Sequence, residues 1–149
     1  MLTIGNLAMR LARSQFSSNF LACAGYKIID NLGFETVGQG VAAAREAGAD
    51  IIVLCSSDDE YAVYAPEAHK LIGDREILIV AGAPACMEEL KAQGITNYIS
   101  LKSNVLETLQ NLNQRLLVKE ISLYRHCEEE RRSKPENMKN GLLRRSSSQ

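Results

Sequence analysis

DIIVLCSSDDEYAVYAPEAHKLIG (50–73) opens on an apolar run, passes two serines and three acids, and continues into a helical pattern. DIIVLC is rich in β-branched residues and shows no polar alternation, as expected of a strand covered on both faces. EILIVAG (76–82) repeats that pattern. Two such strands with a helix over 60–72 between them form a β–α–β unit with parallel strands and a right-handed crossover. Pro66 is expected to confine the regular part of that helix to its second half, because proline donates no backbone N–H.

Working outward, the same alternation recurs. MLTI (1–4) reads as the first strand, and FSSNFLACAGYKIIDNLGF (16–34) as a long helix that buries Phe20, Leu21, Ala24, Ile28 and Leu32. ETV (35–37) reads as a short second strand, and VAAAREAG (41–48) as a small-residue helix. After EILIVAG come a helix over 84–94, a fifth strand TNYISL (96–101) and a last helix over 103–119. The expected architecture is a flavodoxin-like (Rossmann-like) three-layer α/β fold with a five-stranded parallel sheet of order 2-1-3-4-5. The domain is expected to occupy 1–119. Residues 120–149 mix EEE, RR and a serine-rich end with few apolar positions, so they are expected to form a disordered tail.

Composition narrows the function classes. A net charge of −1 gives no bulk attraction to nucleic acid or to an anionic membrane. The apolar runs are too short to span a bilayer, and no basic segment leads into a long apolar core at the amino terminus. Cys23, Cys55, Cys86 and Cys127 form no C-x-x-C pair, so they read as free thiols of a reduced, cytoplasmic protein. His69 and His126 have no companion ligand at metal spacing, and no metal site is expected.

In this fold, ligands sit over the carboxyl ends of the strands. The loops there are Gly5–Ser18, Ser56–Glu60, Ala81–Cys86 and Lys102–Asn104. Asp58 and Lys102 would suit a phosphoacceptor receiver domain, but the first strand runs into GNLAM and supplies no carboxylate for magnesium. GQG (38–40) is a lone pair of glycines, read as a turn, and neither G-x-G-x-x-G nor a P-loop is present.

QFSSNFLACAGYKIIDNLGFETVGQGVAAAREAGADIIVLCSSDDEYAVYAPE (15–67) and ILIVAGAPACMEELKAQGITNYISLKSNVLETL (77–109) resemble the carboxyl-terminal, cobalamin-binding-type domain of methylmalonyl-CoA mutase, above all its small (beta) subunit. The resemblance covers about residues 1 to 117, with LCSS and VAGAP as good local matches. It implies a domain attached to a (β/α)8 barrel, in which D-x-H-x-x-G after the first strand supplies the cobalt-ligating His. Here GNLAMRLARSQFSS (5–18) holds neither His nor Asp, and the first strand lacks a lead-in, so the domain reads as degenerate and N-terminally truncated.

The resemblance implies Ser56, Ser57, Gly82 and Ala83 as positions that border the nucleotide tail of cobalamin, here vestigial, with Asp58, Asp59 and Glu60 crowding a phosphate-bearing tail. No catalytic residue is assigned, and no cofactor is expected on this chain, although cobalamin is the cofactor of the family. The implied role is a non-catalytic structural partner of the methylmalonyl-CoA mutase large subunit, an isomerase that interconverts methylmalonyl-CoA and succinyl-CoA. The alternative is a weak corrinoid-binding module without the His ligand.

Overall fold

The computed structural model of the chain describes residues 1–133, without the side chains of 119 and 122–133. Two compact units divide it, one over Met1–Leu112 and one that begins at Asn113. The first is an α/β unit. Its elements are β1 (Leu2–Thr3), α1 (Leu7–Ala22), α2 (Val37–Glu46), β2 (Ile51–Cys55), α3 (Tyr61–Ile72), β3 (Ile77–Ala81), α4 (Met87–Ala92), β4 (Tyr98–Ile99) and the start of α5 (Val105–Ser133). Among the described residues the sheet has four parallel strands in the order β1-β2-β3-β4, not the five expected.

The expected second strand, ETV (35–37), does not form: the chain makes a lone parallel bridge to Ile4 one residue earlier, at Phe34, and Val37 already belongs to α2. Two side chains explain this. Thr36 accepts from the Gln39 amide and so starts α2 where the strand would have continued. Asn31 then pairs with the free edge of β1 in place of a second strand. Its Nδ2 donates to the Met1 carbonyl at 2.6 Å, and its Oδ1 accepts from Thr3 Oγ1 and, at 2.9 Å, from the Gly33 amide. Thr3 accepts from the Phe34 amide on that edge, while Ile4 donates to Cys55 on the other.

The first helix also departs from expectation, running over Leu7–Ala22 instead of 16–34. Asn6 accepts from the Met9 amide and caps it nine residues early. Phe20 and Leu21 are buried as expected, but Leu32 is 95% exposed and lies beyond the helix. Pro66 sits inside α3 without confining it to its second half.

Sheet alternation sorts the core. Leu2, Ile52, Leu54, Leu78 and Val80 face Val37 and Val41 of α2 and Tyr61, Ala65, Ala68 and Ile72 of α3. Cys55, of opposite parity, faces α1, where Ser17 Oγ lies 4.0 Å from its sulfur. Helices therefore cover both faces of the sheet. GQG (38–40) is not a turn but part of α2. A Cβ on Gly40 would come 2.6 Å from the Leu2 side chain, so a glycine there lets α2 lie directly on β1.

In the second unit, α5 continues to Ser133, past the expected end at residue 119. The rest of the expected disordered tail, 134–149, lies outside the described residues, as do the side chains of His126 and Cys127. Cys55 is buried and Cys86 half-buried, whereas Cys23 is exposed at the end of α1. Among the described residues no helix is long and apolar enough to cross a membrane.

Candidate functional site

The carboxyl ends of β1, β2 and β3 lie side by side, and the loops that leave them are Gly5–Asn6, Ser56–Glu60 and Gly82–Cys86. Ser56 and Ser57 follow β2, and Gly82 and Ala83 follow β3. All four expected site residues thus sit at the ends of two paired strands. Ser56 and Gly82 are buried, Ser57 is half-buried and Ala83 is exposed.

Tyr61 ties the two strand ends together from below. Its hydroxyl accepts from the Ser56 amide at 3.1 Å and donates to the Ala81 carbonyl at 2.5 Å. Burial raises its pKa, so the phenol stays neutral and retains its proton for that donation.

The space above is taken by Glu60. Its Oε2 accepts from Ser56 Oγ at 2.5 Å, Ser57 Oγ at 2.8 Å, the Ser57 amide at 3.2 Å and the Asn6 amide at 3.2 Å. The Ser56 hydroxyl first, and then the other donors, hold its pKa down at about 2. The carboxylate rests on Gly5, whose φ is +76° and where a Cβ would collide with it.

A second contact closes the crevice. Arg13, from the second turn of α1, donates to Asp58 Oδ1 at 2.9 Å. Its guanidinium also covers Gly82, where a Cβ would approach Nη1 to 2.9 Å. One turn earlier, Arg10 donates to the carbonyls of Gly5 at 3.3 Å and Leu32 at 3.1 Å. Of the three acids expected to crowd a ligand, Glu60 is turned inward, Asp58 is ion-paired and Asp59 is exposed. Lys102, the other residue of the receiver reading, is exposed and lies in the turn after β4.

The residues at this site do not fit a cobalamin ligated from below. The stretch 5–18, which would carry the His, begins in the Gly5–Asn6 turn and is α1 from Leu7 onward, with Arg10 and Arg13 on the crevice side. His69 stands far along α3, with its ring beside Gly94. Among the described residues no group of three or more His, Cys, Asp or Glu could hold a metal ion.

Ser56, Ser57, Gly82 and Ala83 follow β2 and β3, as the strand pattern implied, whereas the part Arg10, Arg13 and Tyr61 play in shaping the crevice was not read from the sequence. The spacing of Arg10 and Arg13, three residues apart, would have placed them on one face, had the helix been read from Asn6.

The chain is 68% identical over 115 residues to the methylmalonyl-CoA mutase small subunit of Porphyromonas gingivalis (strain ATCC BAA-308 / W83). The match takes in 77% of this chain and 19% of that protein, so the chain spans about a fifth of the relative's length. No family model and no solved structure matches.

Proposed function

We propose, from the 68% identity over 115 residues with a methylmalonyl-CoA mutase small subunit, that residues 1–119 form the cobalamin-binding-type domain of that family in a degenerate form that holds no corrinoid. The observation that carries this reading is the Glu60 carboxylate lying on Gly5, where a bound ligand would need room. A corrin over the strand ends needs an open loop after the first strand and space above the serines. Here helix α1 takes the first, and a carboxylate with four donors takes the second. The parallel sheet with helices on both faces supports a flavodoxin-like arrangement, one edge of which has dwindled to the Ile4–Phe34 bridge.

In this reading the chain is non-catalytic and acts as a structural partner in a cytoplasmic heterodimer. The methylmalonyl-CoA mutase large subunit binds adenosylcobalamin and carries out the interconversion of methylmalonyl-CoA and succinyl-CoA. Ser56, Ser57, Gly82 and Ala83 keep the shape of a nucleotide-tail site without its use. Co-expression with a large subunit, followed by sedimentation velocity, tests the partnership. The reading expects a stable complex whose corrinoid content equals that of the large subunit alone. Extra corrinoid that follows this chain would contradict it.

A further inference from the structure

Parallel pairing sets Leu2 opposite Leu54 and Thr3 opposite Cys55, so β1 starts further along the sheet than β2, which begins at Ile51. On its other side β2 is paired with β3 from Ile51 onward. The Ile77 amide reaches the Asp50 carbonyl on that side, and the Ile4 amide reaches the Cys55 carbonyl on the β1 side. Backbone groups alternate sides along a strand, so those of Ile51 point the same way as those of Cys55, where β1 has no residue opposite them. Across this gap the chain runs past again. The Met1 nitrogen donates to the Ile29 carbonyl at 2.7 Å, and 26–31 is neither helix nor strand. A slot in line with β1 therefore lies between Ile29 and Ile51.

The slot opens on a cavity of about 140 Å³ under α2, lined by Ile29, Phe34, Ala43, Ala47, Ile51 and Ile52 among others. Side chains alternate along a strand, and Leu2 faces α2. A residue two places earlier on the same line, opposite Ile52, would face α2 as well. Over Leu2 the helix presents Val37 and Val41, but over this position it presents Ala43 and Ala47. A cavity of about 150 Å³ admits a six-carbon ring, so this socket has room for one branched aliphatic side chain. The Met1 ammonium stands at the end of the slot, where burial lowers its pKa. A chain entering parallel to β1 would end there on its own carboxylate, which supplies a countercharge.

We propose that this slot docks the extended, apolar carboxyl terminus of another polypeptide, which adds to the sheet parallel to β2. Its last side chain fills the socket between Ala43, Ala47 and Ile52, and its carboxylate pairs with the Met1 ammonium. Main-chain hydrogen bonds to the β2 edge give affinity, and the socket and the ammonium give specificity. The slot lies at the amino ends of the strands, the opposite end of the sheet from the crevice, and stands apart from the mutase reading.

The probe is the acetylated tetrapeptide Lys-Val-Val-Val with a free carboxylate, added to the full chain and followed by calorimetry and hydrogen exchange. Binding with a Kd on the order of a millimolar or tighter is expected. Amide exchange should slow over 51–53 and 27–29 and stay unchanged over 56–60. Ending the peptide in Asp, or amidating its carboxylate, should weaken binding at least about tenfold. These changes are made in the peptide, so they need no variant to fold. Ala43→Leu should fill the socket and abolish binding. If millimolar peptide leaves exchange over 51–53 unchanged, or if the Asp-ended peptide binds equally well, the proposal is wrong. Slowing over 51–53 that needs no peptide and grows with chain concentration would assign the slot to a second copy, and would overturn it too.

Discussion

Glu60, at the start of α3, lays its carboxylate on the backbone of Gly5, at the end of β1. The φ of +76° at Gly5 is a conformation that side chains rarely adopt, and the carboxylate fills the place where a Cβ would stand. The crevice between the first two strand ends is thus shaped by one side chain meeting one bare backbone position.

Gly5→Ala should therefore be costly for two reasons, the left-handed φ and the displaced carboxylate. The expected loss is about 1–3 kcal/mol in urea denaturation. Combining it with Glu60→Ala should cost less than the sum of the single changes, because the collision disappears. Strict additivity would show that the two residues do not touch.

The pH dependence of stability should carry a signature of Glu60. Its folded pKa is depressed from 4.5 to about 2 by the Ser56 hydroxyl and the other donors. The unfolded chain then binds the proton more readily than the folded one. The stabilisation is complete above about 4.5 and is lost as the pH falls towards about 2. Wild type and Glu60→Gln should accordingly differ most above pH 4.5 and converge below it. A difference that stays constant across that window would show that Glu60 is not hydrogen-bonded as described.

Tyr61→Phe removes the hydroxyl that joins the Ser56 amide to the Ala81 carbonyl. Both groups are buried, and neither gains water in exchange. A loss of about 1–3 kcal/mol is expected, together with faster amide exchange at Ser56. Unchanged exchange at Ser56 would mean that this amide has another acceptor.

The central strands were legible because DIIVLC and EILIVAG are continuous apolar runs, a pattern that only burial on both faces explains. The loops after them, with Ser56, Ser57, Gly82 and Ala83, followed directly from strand polarity. The first forty residues were not legible in the same way. Asn6 and Thr36 are helix caps whose effect is local and polar, and neither shows in a hydrophobic period. Asn31 was invisible for a related reason. It replaces a strand by side-chain hydrogen bonds to Met1 and Thr3, and no pattern of strand residues records that. The crevice itself depended on α1 starting at Leu7, because only then do Arg10 and Arg13 face the strand ends.

Hydrogen exchange should distinguish the corrected layout. Residues 24–33 lack helix and strand, and they depend on Asn31, so they should exchange faster than the central turns of α1. Asn31→Ala should speed exchange at Gly33 and Phe34 and leave β2 and β3 unchanged. Protection over 24–33 equal to that of α1 would restore the longer helix.

The most direct measurement is a titration of the wild-type chain with adenosylcobalamin and hydroxocobalamin, followed by absorbance and by calorimetry. With Glu60 lying on Gly5 and no His in the Gly5–Ser18 stretch, the predicted result is an unchanged corrinoid spectrum and no saturable heat up to millimolar ligand. A base-off, His-ligated spectrum with saturable heat, above all one lost in His69→Ala, would contradict the account.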